Sequence, residues 1–236
     1  MFNLAEVWGF RPDGSNPCRL IERFRESKRE RFLSDVEIAK LGTVLTEIEN
    51  ARQESDVVLN AIRVLLLTGC RLGEALALRW EDVDPDMGTL AIRDAKAGAR
   101  LHHIGALTVA FLAQIPKNSK WVLPSADAKK ALSKSTLEHA WTRIRARAGL
   151  QDVRLHDLRH TVGTYAGQTG ANAFLVRDKL GHETLAMTGR YVNRDADPIR
   201  ALSDAVERRI NAALNGDKRG AEVVLLDPNG RHARQR

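Results

Sequence analysis

Apolar positions from residue 33 onward repeat with the period of an α-helix. Ser34 and Glu37 form a capping box that opens the first predicted helix. Four apolar side chains then recur at spacings of three, four and three, on one helix face: Ile38, Leu41, Leu45 and Ile48. The segment from Val57 to Thr68 is apolar nearly all round, so we predict a buried helix that ends at Gly69.

Short segments further on predict a small antiparallel sheet. Leu90–Arg93 and Leu101–Ile104 flank the turn Lys96-Ala97-Gly98-Ala99, and Trp121–Leu123 supplies a third strand. Helical patterns then return. A second capping box joins Ser135 and Glu138, and further helices are predicted over 157–168, 172–180 and 199–214. The predicted fold class is mainly α with one small antiparallel β-sheet, an α+β domain.

Composition excludes membrane proteins, secreted proteins and small disulfide-rich domains. The 236 residues are ample for a hydrophobic core, yet no apolar run reaches the length of a membrane helix, and no basic segment precedes an apolar run at the start. Cys18 and Cys70 cannot form a disulfide framework, and no metal-site spacing surrounds them, so we expect a reducing cytoplasm. The net charge of +7 is a hint of nucleic acid.

The two ends of the chain differ in pattern from the middle. Glycines and prolines punctuate residues 9–17, and residues 19–31 then carry six basic and three acidic side chains. This charged run is either a solvated connector or a strap along a phosphate backbone. After Gly216 the tail is polar and basic, and we expect it to be frayed.

Arg71 lies in the segment TGCRLGE, residues 68–74, where one predicted helix ends and another begins. A cation at a helix start opposes the helix macrodipole, so a partner should compensate it. Glu74, one turn on, is one such partner, and a bound phosphate is another. An ordinary surface ion pair fits this segment as well.

Two later segments carry titratable side chains. His156 and Arg159 are three residues apart, so one helical turn places both on the same face, and such a pair suits an anionic substrate that exchanges protons. Further on, Tyr191 follows His182 by nine residues. Taken alone, Tyr191 is more readily a packing tyrosine than a nucleophile, and Lys96 is more readily an exposed turn lysine.

We predict no catalytic role for four other histidines, namely His102, His103, His139 and His160. His102 and His103 point to alternate faces of a strand and form no plausible metal pair. Tyr165, the only other tyrosine of the chain, is predicted to line the core or a groove.

Taken together, five segments resemble the catalytic domain of the tyrosine recombinases, the phage-integrase family. The resemblance covers roughly residues 17 to 195, and its motifs appear in family order: TGCRLGEALALRWEDV, DAKAGARLHHI, HDLRHT, LGH and GRYVN. It implies a tyrosine-recombinase catalytic-domain fold and favours catalytic roles over the simpler explanations above.

The resemblance implies that Arg71 and Arg159 grip the non-bridging oxygens of a scissile DNA phosphate, since guanidinium forks match phosphate geometry. It implies that His182 donates a further hydrogen bond to that phosphate. Tyr191 would attack phosphorus and form a 3′-phosphotyrosyl link.

Further roles are implied for three supporting side chains. His156 would assist proton transfer near the tyrosine, and Lys96 would protonate the departing 5′ oxygen. Glu74 would hold Arg71. Because the bond energy stays in the phosphotyrosine, the resemblance implies no metal, ATP or other cofactor. The implied function is site-specific recombination that integrates or excises a mobile element. The second possibility within the enzyme class is a type IB topoisomerase, which shares the chemistry.

Family members usually carry another helical domain before this one. We expect this chain to lack that domain, because MFNLAEVWGFRPDGSNP resembles the end of the domain and the interdomain linker, and we expect Met1 to be an internal start. We predict a linker remnant at 1–31, a catalytic domain at 32–215 and a flexible basic tail at 216–236. A truncated chain leaves a second function open, that of a non-productive DNA-binding remnant of an integrase.

The expected partner is double-stranded DNA, and the expected location is the cytoplasm, at the nucleoid when bound. The predicted helix at 199–214 has two interpretations: it packs on its own domain, or it docks on a neighbouring protomer. Our hypothesis is a monomer when free and a tetramer on synapsed DNA.

Overall fold

A computed structural model of the protein describes residues 1–22, 31–93, 98–169, 171–189 and 191, with residues 203, 206, 207 and 210 further on. The chain divides into two units, Met1–Glu30 and Arg31–Arg236. In the first unit, helix α1 (Phe2–Val7) is only six residues long. The backbone N–H of Asn16 folds back and donates to Glu6 Oε1 at 2.6 Å.

Helices are the main regular structure among the described residues of the second unit. They are α2 (Asp35–Asn50), α3 (Asp56–Thr68), α4 (Leu72–Leu76), α5 (Ala106–Gln114), α6 (Lys134–Arg147), α7 (Leu155–Gln168), α8 (Ala173–Leu180) and α9 (Leu185–Thr188). The predicted capping box is confirmed, because the Ser34 hydroxyl accepts from the Glu37 backbone N–H and the Glu37 carboxylate accepts from that of Ser34. Among the described helices, none is long and apolar enough to cross a membrane.

The core is formed where α3 packs against α2, α6 and α7. Fully buried aliphatic side chains from these four helices meet there: Leu41, Leu59, Ile62, Leu137, Ile144 and Leu158. Burying each such side chain is worth about 1.5–3 kcal/mol. The prediction of a buried α3 is confirmed, since it contributes apolar side chains to this core around most of its circumference.

A small antiparallel sheet lies beside the helices. In the part of the chain that is described, its strands are β1 (Val83–Asp84), β2 (Thr89–Ile92) and β3 (Arg100–His103), in the order β1-β2-β3. The register pairs Thr89 with His103 and Ile92 with Arg100. The predicted fold class, mainly α with a small antiparallel sheet, is therefore confirmed.

Two sequence-based assignments are wrong in detail. Trp121–Leu123 is not the third strand: Trp121 makes only an isolated bridge to Arg79, because the chain after Arg79 turns into a 3₁₀ helix instead of extending the ladder. Ser135 does not cap α6 either. Ser133 does, by accepting the backbone N–H of Thr136 at 3.1 Å.

Candidate active site

Arg71 begins a short helix and is held by a carboxylate. Helix α3 ends at Gly69, whose φ of 71° is left-handed, and Arg71 is the N-cap of α4. Glu74 accepts the Arg71 backbone N–H at 2.9 Å and its Nη1 at 2.8 Å. The same carboxylate accepts Nη2 of Arg100 from β3 at 2.8 Å. The buried Glu74 thus offsets the unfavourable placement of a cation at a helix start.

Arg159 lies on α7 and is only 4% exposed. Its Nη1 donates to the Gly69 carbonyl at 2.7 Å, and its Nη2 donates to the carbonyl of Leu180. Arg71 Nη2 donates to the next carbonyl, that of Gly181, at 2.8 Å. Both guanidiniums therefore bind the C-terminal end of α8, where the helix dipole favours cations. Burial, and then the nearby Arg71, lower the pKa of Arg159 to about 10, so it remains protonated at neutral pH.

His182 follows directly after α8, whose C-cap Gly181 has a φ of 63°. Its Nδ1 lies 3.0 Å from Oγ1 of Thr188 at the end of α9. The imidazole stacks on the ring of Tyr191, with 5.8 Å between centroids and 20° between planes. The turn after α8 therefore brings His182 beside the candidate nucleophile.

Tyr191 is 8% exposed and packs on a glycine face of α7. A Cβ at Gly163 would lie 2.8 Å from Cε1 of Tyr191, and one at Gly167 would overlap its backbone carbonyl oxygen. The Tyr191 hydroxyl lies 2.5 Å from Nδ1 of His160 on the same helix. The ring of His160 also meets that of His156 edge-on, with 4.7 Å between centroids. Glycine at these two positions is what allows the tyrosine to approach α7 so closely.

These side chains surround one cleft of about 100 Å³. Its lining includes Arg71, His156, Arg159, His160, His182 and Tyr191. The structure thus brings together five candidate residues that are spread over 120 positions of sequence, from 71 to 191. A nucleophile, two guanidiniums and three imidazoles around one small space can bind a tetrahedral anion and move protons at it.

Comparison with known proteins decides the family. A family model described as the phage integrase family matches residues 32–197, which is more than half of the chain. The chain belongs to the phage integrase family. Its relatives include the integrase of Mycobacterium phage FRAT1, 27% identical over 218 residues, which cover 80% of this chain and 62% of that protein. They also include the tyrosine recombinase XerC of Xanthomonas axonopodis pv. citri (strain 306), which is 28% identical over 154 residues. That alignment covers 63% of this chain and 50% of XerC.

Solved structures of recombinases share the fold of this phage-integrase family member. The XerH recombinase bound to difH in a pre-cleavage complex matches with a TM-score of 0.60 at 24% identity, covering 78% of this chain and 56% of that one. The Tn1549 transposon integrase in complex with transposon right end DNA matches with a TM-score of 0.63 at 17% identity, covering 78% and 68%. At these identities the likeness shows the fold alone, that of the tyrosine-recombinase catalytic domain. The chain spans only 50% to 62% of the length of the two relatives named above.

Lys96, the remaining catalytic residue that the sequence analysis predicted, lies outside the described residues. Its role therefore stays a prediction. The flanking strands β2 and β3 are described, and β3 carries Arg100, which binds Glu74. The nitrogen Nζ of Lys179 on α8 also donates to the carbonyl of His103 at 2.7 Å, which ties the sheet to the same helix end that holds the arginines.

From the sequence we predicted no catalytic role for His160, yet the structure places its ring against the Tyr191 hydroxyl. A local signal was present, since His156 and His160 are four residues apart and share a helix face with Arg159. The contact itself joins positions 31 residues apart, across the turn after α8. The helical periodicity of α7 therefore cannot predict a contact with Tyr191.

Proposed function

We propose that this phage-integrase family member cleaves and rejoins DNA strands through a covalent tyrosyl intermediate, as a site-specific recombinase that integrates or excises a mobile element. The observation that carries the proposal is the convergence of the Tyr191 hydroxyl with Arg71, Arg159 and His182 on one small cleft. Cleavage and rejoining of a phosphodiester needs these parts: a nucleophile, and donors that stabilise the charge that develops on phosphorus oxygens.

The two arginines are suited to hold a phosphate because the protein has already oriented them. Each guanidinium carries five N–H groups, and the contacts given above use two from Arg71 and two from Arg159. Further N–H groups of both can then meet phosphate oxygens. A single preorganised donor of this kind is worth about 3–4 kcal/mol in the transition state.

The proposed reaction has two balanced halves. Tyr191 Oη forms a bond to phosphorus as the bond from phosphorus to the 5′ oxygen breaks, and the tyrosine proton passes to a nearby base while the 5′ oxygen takes one from an acid. The family resemblance assigns the acid to Lys96 and assistance with the proton to His156. A 5′-hydroxyl then attacks phosphorus and reverses both transfers. Neither half consumes a nucleotide or requires a metal ion.

Double-stranded DNA is the proposed substrate because basic side chains continue beyond the cleft. A wider cleft of about 460 Å³ shares His156 and Arg159 with the first, and its lining adds Lys134, Arg145 and Arg154, with one carboxylate, Glu138, paired to Lys134 at 3.6 Å. Such a basic surface favours a polyanion over a small phosphate ester. We propose a catalytic domain at residues 32–215, a linker at 1–31 and a basic tail at 216–236.

We also propose a monomer in solution and a tetramer on synapsed DNA, acting in the cytoplasm on the nucleoid. Most of the predicted helix at 199–214 lies outside the described residues, but two of its apolar side chains, Val206 and Ile210, are 46% and 54% exposed. Exposed apolar side chains at helical spacing favour docking on a neighbouring protomer. A stable tetramer in light scattering without DNA would contradict this arrangement.

A nicked suicide duplex tests the chemistry, because loss of the short 5′ fragment prevents religation. With a pool of such duplexes from the ends of the source element, the wild-type chain should form an adduct that survives denaturant. Tyr191→Phe should form none. Tyr165→Phe is the matched control and should form the adduct, because the Tyr165 hydroxyl is bound to Asp35 at 2.6 Å, which raises its pKa to about 12.

The outcomes separate the two candidate functions. An adduct that is lost in Tyr191→Phe and reduced in Arg159→Ala would establish the recombinase chemistry. DNA binding that weakens steeply with salt, with no adduct from any duplex of the pool, would instead favour a non-productive DNA-binding protein.

A further inference from the structure

The side chain of His160 touches the atom that would react. Its Nδ1 lies 2.5 Å from Tyr191 Oη, and the two ring centroids are 5.9 Å apart. A tyrosine with an ordinary pKa of about 10 and a histidine with one of about 6.5 are both neutral above pH 7. In the tautomer that carries its proton on Nε2, the imidazole accepts the tyrosine hydroxyl at Nδ1, and this is the form that can act as a base.

We propose that His160 is a further catalytic residue, the general base that takes the proton of Tyr191 as its oxygen attacks phosphorus. The inference rests on the proposed function and deepens it. Tyr191 Oη bonds to phosphorus, its proton moves to His160 Nδ1, and the 5′ oxygen leaves with a proton from an acid, for which the family resemblance indicates Lys96. In rejoining, His160 returns the proton to Oη as the tyrosine departs.

The packing around this pair fixes the direction of the hydroxyl. Tyr191 lies against Gly163 of α7, one turn from His160, and its backbone N–H donates to the Thr188 carbonyl at 2.9 Å. The ring of His182 stacks on that of Tyr191, and Nδ1 of His182 lies 3.0 Å from Thr188 Oγ1. The hydroxyl is therefore directed at His160 before any DNA arrives, which is the preorganisation that proton transfer needs.

Charges around the pair favour transfer once a phosphate is bound. Among the described residues, the charged or titratable groups that line the cleft with it are Arg71 from α4, Arg159 and His156 from α7, and His182 after α8. The guanidiniums disfavour a protonated imidazole and favour a phenolate. A bound phosphate offsets their charge and stabilises the imidazolium that forms. His156, edge-on to His160 at 4.7 Å, then supports the base and does not replace it.

The test is single-turnover adduct formation between pH 5.5 and 9 with His160→Asn, whose side-chain oxygen can accept the tyrosine hydrogen bond but cannot take its proton. We expect the rate to fall by about 10²-fold or more, as general bases usually contribute. The wild-type rate should fall towards acid pH, because a protonated imidazole cannot accept a proton, and the variant should lose this dependence. His139→Asn, on the exposed face of α6, is the matched control and should behave as the wild type.

A substrate with sulfur in place of the bridging 5′ oxygen separates the base from the acid, since a thiolate leaves without a proton. Such a substrate should restore Lys96→Ala but leave His160→Asn slow. Restoration of His160→Asn would overturn the assignment, because the residue would then serve the leaving group. A wild-type rate and pH profile in His160→Asn would overturn it too.

One readout needs no DNA. In NMR titrations of the histidine rings, Tyr191→Phe should shift the titration midpoint of His160 and leave that of His139 unchanged. An unchanged His160 would refute the contact. If the wild-type chain forms no adduct at all, the proposed function fails, and the catalytic role of His160 fails with it. If the wild-type chain forms the adduct and His160→Asn forms it equally fast, only the present inference is refuted.

Discussion

Replacing Gly163 with alanine tests how closely the nucleophile must be held. The new methyl group would lie 2.8 Å from Cε1 of Tyr191 and 2.9 Å from Cδ1 and Cζ. Ordinary carbon–carbon contacts lie at about 3.5–4.0 Å, so the ring must retreat by about 1 Å. Because Gly163 lies inside α7, whose backbone is fixed by the core, the tyrosine is the part that moves.

The expected magnitudes separate stability from catalysis. Alanine is favoured over glycine in a helix interior by about 1 kcal/mol, so the free energy of unfolding should stay the same or rise. The hydroxyl, however, should lose its 2.5 Å contact with His160. A misplacement of about 1 Å at a reacting group costs up to about 100-fold in rate. We therefore expect Gly163→Ala to fold normally and to form the tyrosyl adduct about 30- to 100-fold more slowly.

The assay compares single-turnover adduct formation with urea unfolding of the same preparations. Gly42→Ala on α2 is the matched control, because nothing lies within 4 Å of its Cβ, and it should gain helix stability with no change in rate. An adduct rate for Gly163→Ala within about threefold of the wild type, below the penalty expected for such a displacement, would refute the reasoning. It would mean that the tyrosine reaches its reactive position from elsewhere.

Three further predictions concern stability. Glu74→Gln should lower the free energy of unfolding by about 3 kcal/mol in urea titrations, because Arg71 and Arg100 lose a buried carboxylate; a loss below about 1 kcal/mol would contradict this. Burial, with nearby cations, lowers the pKa of His102 to about 3, whereas the unfolded chain takes up a proton near 6.5. Stability should thus fall as pH drops below 6.5, by up to about 1.4 kcal/mol per pH unit, and His102→Gln should flatten that slope in denaturation at pH 5 and 7. Ser34→Ala should cost about 1 kcal/mol in thermal unfolding through loss of the α2 cap, and an unchanged midpoint would argue against that cap.

The parts of the fold that sequence reasoning predicted depend on local physics. The apolar face of α2 and its capping box follow from spacings within four residues, and the structure has both. The all-round apolar α3 had to be buried, and its end at Gly69 follows from the freedom of glycine to adopt a positive φ. Each of these features involves neighbours along one helix, which a linear pattern encodes directly.

The parts that it missed depend on contacts between distant segments. Helix α5 has no counterpart among the predicted helices, because its N-cap Gly105 offers no side-chain oxygen to mark a start. Trp121–Leu123 has the composition of a strand, but its neighbour Arg79 leads into a 3₁₀ helix, so only one bridge forms. Gly163 and Gly167 lie one turn apart on α7, and this spacing indicates that another segment packs closely against the helix there. The sequence alone does not identify Tyr191 as the residue that packs against these glycines.

The arrangement of charge explains why the site suits an anion. Arg71 and Arg100 share Glu74, whereas Arg159 is held by the neutral carbonyls of Gly69 and Leu180. Within the described contacts, three guanidiniums thus meet one carboxylate, and the excess positive charge remains in a largely buried place. The depressed pKa of Arg159 reflects this burial and the repulsion from Arg71. A carboxylate on Arg159 would compete with a phosphate for the same N–H groups. Carbonyls at the end of α8 orient the cation without neutralising it, so its charge remains for the phosphate.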